Sequence, residues 1–203
     1  MNFLQKIPLL IFNLIYPSKI YGKENIPSGS AVLVCNHYSA LDCAYIIKAY
    51  NKDVYFLAKK EAFANKLFAK FLKSYGGIPI DREGPDIKSL FSAVKVLKEG
   101  HKLAIFPEGT RNKTGSSKLQ AIKGGTVTFA VKAKCPIVPI MLSRKARLFR
   151  KTHVIIGSPF TLESFYDKKL TPELIEDMGK IVYDKMCEQQ VILTNIINKR
   201  NKP

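Results

Sequence analysis

The chain has 203 residues, enough for one domain with its own hydrophobic core and too few for two domains of ordinary size. Hydrophobic residues make up 46% of it, which excludes an intrinsically disordered chain. Lys and Arg total 33 against 16 Asp and Glu, and this net charge of +17 predicts attraction to polyanions such as nucleic acid, anionic lipid or an acidic protein. The four cysteines lack metal-ligand spacing, so we predict no metal site and reduced thiols in a cytoplasmic protein.

The first strongly apolar segment spans residues 7–16. It is shorter than the roughly 20 residues that a membrane-spanning helix needs, and no signal-peptide cleavage site follows it. A core helix and a helix lying in the bilayer interface both fit the pattern. Because Lys6, Lys19 and Lys23 flank the segment, the interface is favoured. We therefore predict that residues 1–19 form a membrane-interface segment.

Beyond this segment, short apolar runs alternate with amphipathic stretches. The apolar runs predict strands at residues 31–35, 54–58, 77–80, 103–106, 137–141 and 154–156. The amphipathic stretches predict helices at residues 40–50, 62–73, 87–97 and 124–132, followed by a long C-terminal helix at 171–197. Wholly apolar strands that alternate with helices indicate an α/β fold, a single domain with a mostly parallel central sheet covered by helices on both faces.

The residues best suited to chemistry are His37 and Asp42. His37 follows the first predicted strand of the sheet, outside its carboxyl end, where open α/β sheets place their ligands. With Ser39 as N-cap, Asp42 is expected at the third helical position, and the turn brings its carboxylate back towards the imidazole. A carboxylate that holds one ring nitrogen leaves the other free to accept a proton. The alternative is that Asp42 completes a capping box with Ser39 and His37 is an ordinary loop histidine.

Charged residues end two further predicted strands. Glu108 and Arg111 lie in a turn after the strand at 103–106, and Arg82 follows the strand at 77–80. Surface ion pairs of little energetic value are the alternative interpretation for each. Three such loops at one edge of a sheet indicate a site, and the planar fork of arginine suits phosphate.

Four segments occur in the order and approximate spacing of the motifs of the 1-acylglycerol-3-phosphate acyltransferase family, which this chain resembles over about residues 20–160. They are residues 36–42, with the HX4D pattern, 77–82, 106–111 and 138–140. Residues 120–130, with Lys123-Gly124, resemble the stretch that precedes the fourth motif. One departure is Pro79, where the family usually has an aromatic or aliphatic residue. By composition, the fourth motif is expected to be a core strand.

The resemblance implies an O-acyltransferase that moves an acyl group from an acyl thioester to the free sn-2 hydroxyl of lysophosphatidate. His37 would remove the hydroxyl proton and Asp42 would orient His37, so no nucleophile of the enzyme is required. Arg82 and Arg111 would bind the phosphate. The remaining substrate contacts are expected from the third motif, at Glu108, Gly109 and Thr110.

The resemblance requires no cofactor and leaves open whether acyl-CoA or acyl carrier protein is the donor. We expect a peripheral or monotopic protein on an anionic membrane surface, at the cytoplasmic face of the cell membrane. The helix at 62–73 either packs on the sheet or lies in the interface. The five basic residues within 144–151 are hypothesised to contact anionic lipid or an acidic acyl carrier protein.

Two alternative functions remain at this point. One is acylation of another lysophospholipid or of glycerol 3-phosphate. The other is a non-catalytic binder of nucleic acid or anionic membranes, for which the net charge is the single support. Because RNP aromatics, zinc-finger spacing and a KH-type GXXG clamp are missing from the sequence, we predict no nucleic-acid partner.

Overall fold

The computed structural model describes residues 3–50, 54–81, 87–112, 119–122 and 125–200. Seven strands form one sheet: β1 (Ser18–Tyr21), β2 (Ala31–Cys35), β3 (Val54–Lys59), β4 (Gly77–Ile80), β5 (Lys102–Ile105), β6 (Ile137–Leu142) and β7 (Thr152–Ile156). Within these described ranges, six α-helices accompany it: α1 (Phe3–Ile15), α2 (Asp42–Tyr50), α3 (Lys66–Ser74), α4 (Ile87–Lys98), α5 (Gly125–Ala133) and α6 (Pro172–Arg200).

The strands lie in the order β1-β7-β6-β2-β5-β3-β4. The five strands from β6 to β4 are mutually parallel, whereas β7 runs antiparallel to β6 and pairs in parallel with β1. The carboxyl ends of the five parallel strands therefore meet the amino ends of β7 and β1. We call this side of the sheet the carboxyl edge.

Both faces of the sheet are buried. Within β2, Val32 and Val34 face a core cluster that includes α4, α5 and α6, whereas Leu33 and Cys35 face a second cluster that includes α1 and α2. All five residues of β2 are fully buried. This two-sided burial is the reason that the strand is apolar throughout, and the predicted α/β fold class is confirmed.

Two helix predictions need correction. The helix expected at 62–73 is divided into a short 3-10 helix, Lys60–Phe63, and α3, because Asn65 caps α3 by accepting the Phe68 N–H at 3.0 Å. The helix expected from residue 40 begins at Asp42. Strand β1 was not predicted, since it is a four-residue edge strand without a fully buried residue.

Helices α1 and α3 each present a group of apolar side chains to solvent. In α1, Leu9 and Phe12 pack against the core, together with Tyr16 beyond its end. The opposite side of α1 is exposed, at Ile7, Leu10, Ile11 and Leu14. Helix α3 has no buried residue, and its exposed apolar residues are Leu67, Phe68 and Phe71. In the described part of the chain, no helix has the length and apolar character required to cross a bilayer.

Candidate active site

A histidine and an aspartate meet at the carboxyl edge. His37 lies two residues after β2 and Asp42 is the first residue of α2, and His37 Nδ1 lies 2.9 Å from Asp42 Oδ2. Because an ionised carboxylate only accepts hydrogen bonds, Nδ1 carries the proton and donates it. The other nitrogen, Nε2, has no hydrogen-bond partner among the described residues, and the side chain is 14% exposed. The imidazole is thus held in the tautomer whose free nitrogen can accept a proton.

Asp42 also organises the loop that carries His37, residues 36–41, which we call the histidine loop. Its carboxylate is fully buried, and Oδ2 accepts the Tyr38 N–H at 2.6 Å and the Ser39 N–H at 2.7 Å, while Oδ1 accepts the Ser39 hydroxyl at 3.2 Å. The bond from the Ser39 N–H is one half of a capping box. One carboxylate therefore contacts both the His37 ring and the Ser39 backbone, and the catalytic role of the pair stays a prediction. The expected third helical position of Asp42 is wrong, because a tight turn from the Asp42 N–H to the Ser39 C=O, at 3.1 Å, precedes the helix.

The loop after β5, residues 106–112, surrounds His37; we call it the third-motif loop. The Phe106 ring stacks on the imidazole, with 3.9 Å between the ring centroids and 19° between the planes. Glu108 Oε1 accepts the His37 N–H at 2.8 Å, and the Asn112 N–H donates to the His37 C=O at 2.7 Å. The ring and both backbone groups of His37 are therefore fixed by a neighbouring strand's loop.

Glu108 is buried, with 4% of its surface exposed. Its second oxygen, Oε2, accepts the Gln120 N–H at 3.3 Å, so backbone donors contact both oxygens. Burial raises the pKa of the Glu108 carboxyl, and the hydrogen bonds from the His37 and Gln120 backbones oppose the rise. These contacts favour a role in positioning the loops. The contact with the glycerol part of the substrate stays a prediction.

We expect Glu108→Ala to lower stability by about 2–3 kcal/mol, since two partly buried N–H groups lose their acceptor. It should also lower kcat because His37 is no longer fixed, with a small change in the KM of the acceptor. Thermal unfolding and steady-state kinetics measure both effects, and Glu99→Ala, at an exposed position, is the control. A raised acceptor KM with unchanged stability would instead identify Glu108 as a substrate contact.

Within the third-motif loop, Thr110 and Arg111 are the exposed residues. Gly109 has φ 70°, in the left-handed region that favours glycine, and the exposed Thr110 donates its hydroxyl hydrogen to Gln120 Oε1 at 3.3 Å. Arg111 is exposed and makes no ion pair with a described residue. Its guanidinium lies close enough to Cys43, in the first turn of α2, to oppose the rise of that thiol's pKa. Arg111 is therefore a cation beside the loop that carries His37, without an ion-pair partner among the described residues.

The cysteines near the site are poor nucleophiles. Burial, together with the Asp42 charge, raises the pKa of Cys43 to about 12, and burial also raises the pKa of Cys35. Because the thiolate is the reactive form, both thiols are kept unreactive and serve as small apolar groups beside the core.

Arg82 lies outside the described residues. The strand that precedes it, β4, is separated from β2 by β5 and β3, which corresponds to about 14 Å at the usual strand spacing. Asp81 forms an ion pair with Lys60 rather than with the histidine loop. The carboxyl ends of β2, β5 and β4 thus lie at one edge of the sheet as predicted, but the ends of β2 and β5 are neighbours while the end of β4 is three strands from β2.

Asn36 has a role that the sequence did not reveal. Its side-chain amide donates to the Leu142 C=O at 3.0 Å, and its Oδ1 accepts the Leu142 N–H at 2.8 Å. The pair extends the β2–β6 ladder by one residue and fixes the start of the histidine loop. Its partner lies 106 residues away in the chain. The feature of the sequence that could have indicated this role is a polar Asn directly after an apolar strand.

The geometry so far defines a histidine base, oriented by a buried carboxylate and placed at the rim of an α/β sheet. The sequence profile of the Acyltransferase family matches residues 17–143, which is more than half of the chain. The chain therefore belongs to the acyltransferase family, as the sequence motifs predicted.

Individual relatives carry a more specific name. A 1-acyl-sn-glycerol-3-phosphate acyltransferase of Bacillus subtilis is 37% identical over 154 residues, covering 72% of this chain and 75% of the relative. The enzyme of the same name from Cocos nucifera is 33% identical over 193 residues, covering 90% of this chain and 62% of the relative. The crystal structure of PlsC, the 1-acyl-sn-glycerophosphate acyltransferase of Thermotoga maritima, has the same fold, with a TM-score of 0.66, 23% identity and coverage of 94% of this chain and 84% of that one.

Proposed function

We propose that this chain is a 1-acylglycerol-3-phosphate O-acyltransferase, which transfers a fatty acyl group from an acyl thioester to the sn-2 hydroxyl of lysophosphatidate and forms phosphatidic acid. The observation that carries the proposal is the bond of His37 Nδ1 to the buried Asp42, which leaves Nε2 free at the carboxyl edge. The names of the relatives and the four motifs support the same activity.

In the proposed reaction, His37 Nε2 removes the proton of the acceptor hydroxyl as the oxygen attacks the thioester carbonyl carbon. The imidazolium that forms is stabilised by the Asp42 carboxylate, 2.9 Å from Nδ1. When the tetrahedral intermediate collapses, the carbon–sulfur bond breaks and the imidazolium returns its proton to the thiolate. The acyl group is never attached to the protein, and the reaction uses neither a metal nor a cofactor.

The phosphate of the acceptor is bound by Arg111 and Arg82. Arg111 supports this assignment because it is exposed, lacks an ion-pair partner in the described part of the chain and lies beside the turn that carries Asp42. A guanidinium pairs with a phosphate through two parallel hydrogen bonds, which also orients the glycerol hydroxyl.

The enzyme acts as a peripheral protein on the cytoplasmic face of the membrane, where its lipid acceptor resides. Support comes from α1, whose outer side exposes apolar residues at helical spacing over Ile7, Leu10, Ile11 and Leu14. The β1 strand that follows α1 begins at the carboxyl edge, so the carboxyl end of α1 lies at the same edge of the sheet as His37.

The proposal is tested by assaying purified protein with acyl-CoA and acyl carrier protein as donors. The acceptors are lysophosphatidate, glycerol 3-phosphate and lysophosphatidylcholine. We expect phosphatidic acid from lysophosphatidate with at least one donor. Faster acylation of a different acceptor would reassign the substrate. No turnover, together with salt-sensitive DNA binding, would favour the non-catalytic nucleic-acid binder.

Arg111→Ala should raise the KM for lysophosphatidate about tenfold or more, since a charge-assisted pair contributes about 1.5–3 kcal/mol. The KM for the acyl donor should change little, and Arg111→Lys should restore part of the affinity. Lys98→Ala, an exposed cation at the opposite edge of the sheet, is the control. If only donor binding is weakened, Arg111 contacts the donor and the phosphate assignment is wrong. Arg82→Ala is expected to behave as Arg111→Ala does.

A further inference from the structure

The connection between β6 and β7 ends in an unusual turn. The Arg150 N–H donates to the Arg147 C=O at 3.1 Å, so Leu148 and Phe149 occupy the two corner positions of a tight hairpin. Corner positions normally hold Gly, Asn, Asp or Pro. Here they hold two large apolar residues, whose exposed fractions are 61% and 74%.

The backbone of this turn is strained. Phe149 has φ 55°, in the left-handed region where a bulky side chain is disfavoured and where glycine or asparagine fits at lower cost. The strained conformation is fixed by the bond from the Phe149 N–H to the Ile15 C=O at 2.8 Å. The backbone conformation of Phe149 therefore lowers the stability of the fold, while its aromatic ring packs against neither core cluster of the described residues.

Basic residues flank the two apolar side chains on both sides. They are Arg144, Lys145, Arg147, Arg150 and Lys151, all exposed. No described carboxylate forms an ion pair with any of them. Two apolar side chains surrounded by cations are complementary to an anionic bilayer, whose phosphates lie at the surface and whose acyl chains lie beneath them.

The turn is continuous with the exposed apolar side of α1. The bond from Phe149 to Ile15 places the turn against the carboxyl end of α1, next to the exposed Leu14. The connection starts where β6 ends and finishes where β7 begins, and both points lie at the carboxyl edge with His37. The turn, the carboxyl end of α1 and His37 thus lie at the same edge of the sheet.

We propose that the Arg147–Arg150 turn is a membrane-inserting element, whose Leu148 and Phe149 enter an anionic bilayer while the five flanking cations contact lipid phosphates. It is a second contact beside α1, and the pair orients the carboxyl edge, with His37, towards the lipid surface. This inference rests on the proposed lipid substrate, but it concerns binding to the bilayer and is measured without turnover.

The test is co-sedimentation of the full chain with vesicles of phosphatidylglycerol and phosphatidylcholine. Leu148→Ser/Phe149→Gly should bind about tenfold or more weakly, because two apolar side chains lose their burial in lipid. Its melting temperature should be unchanged or higher, since glycine relieves the strain at this φ. Arg147→Gln/Arg150→Gln should also bind more weakly, with a difference from wild type that shrinks as salt is added.

The matched control variants remove cations or an apolar side chain from other parts of the surface. Lys98→Gln/Lys132→Gln deletes two exposed cations at the opposite edge of the sheet, and Ile181→Ser deletes an exposed apolar side chain of α6. Both should bind vesicles as wild type does. All variants should keep wild-type turnover of a short-chain lysophosphatidate used as a dissolved monomer. An inactive wild type would reject the proposed function and leave the vesicle result intact.

Wild-type vesicle affinity in both turn variants would overturn the inference. So would failure of the wild-type chain to bind these vesicles. Loss of acyl-carrier-protein use with unchanged vesicle binding would assign the basic turn to the carrier protein instead.

Discussion

Replacing His37 with alanine is expected to lower kcat by about 10²–10⁴-fold, the usual contribution of a positioned general base. The Nε2 atom is the acceptor that the proposed proton transfer needs, and its orientation depends on the bond to Asp42 and on the stack against Phe106. Loss of the ring removes a side chain that is near the surface, at 14% exposure, so the fold should persist. Circular dichroism and the melting temperature check the fold, and initial rates at saturating donor and acceptor check kcat.

His153→Ala is the matched control for this result. That histidine accepts or donates one hydrogen bond with the Tyr21 hydroxyl at 2.9 Å and stacks on its ring, at the β1–β7 edge of the sheet. Its surroundings fit a structural role, so its variant should retain turnover. Activity of His37→Ala within a fewfold of wild type would exclude the general-base mechanism.

The fold class could be predicted from the sequence because a strand that is buried on both faces of the sheet is apolar at every position. Residues 31–35 are apolar at every position, and the structure shows alternate members facing two different helical layers. Such a run predicts an internal parallel strand without any long-range information. Strand β1 carries no comparable pattern, since an edge strand of four half-buried residues is specified by its pairing with β7 rather than by its own composition.

Part of the candidate site could be predicted from the sequence. The proximity of His37 and Asp42 is a local property, encoded within five residues by the turn that precedes α2. The supports of His37 are not local: Glu108 lies 71 residues from the backbone group that it accepts from, and Asn36 lies 106 residues from its partner. No pattern in a single sequence indicates which strand end will neighbour which, so these contacts required the strand order.

The strand order also explains why the proposed catalytic residues and the proposed membrane contact lie at the same edge of the sheet. The carboxyl ends of β2 and β5 bring the histidine loop and the third-motif loop together, and the reversed β7 returns the basic connection to the same edge. A lipid acceptor keeps its acyl chain in the bilayer while its headgroup reacts. An enzyme for such a substrate needs its base and its lipid-binding side chains on one surface, and this topology provides that arrangement.

Asp42→Asn separates the two tasks of the buried carboxylate. Its Oδ2 receives hydrogen bonds from two backbone N–H groups and from His37, whereas Oδ1 receives one from the Ser39 hydroxyl. An asparagine can keep its oxygen at the first position and direct its amide group to the Ser39 hydroxyl, which also accepts hydrogen bonds. The loop should therefore persist, with a modest loss of melting temperature, while the negative charge beside the imidazolium is lost.

That charge is expected to matter mainly in the transition state. Two unit charges about 4 Å apart interact by about 4 kcal/mol at an effective dielectric constant of about 20, so kcat should fall by about 10²–10³-fold. Asp42→Ala should lose comparable activity and in addition be clearly less stable, since the backbone donors of Tyr38 and Ser39 lose their acceptor. Asp177→Asn, an exposed aspartate of α6, is the control for both variants. If Asp42→Asn keeps more than a third of the wild-type kcat, the negative charge is not required, and residue 42 acts only by holding His37 and the loop backbone through its side-chain oxygen.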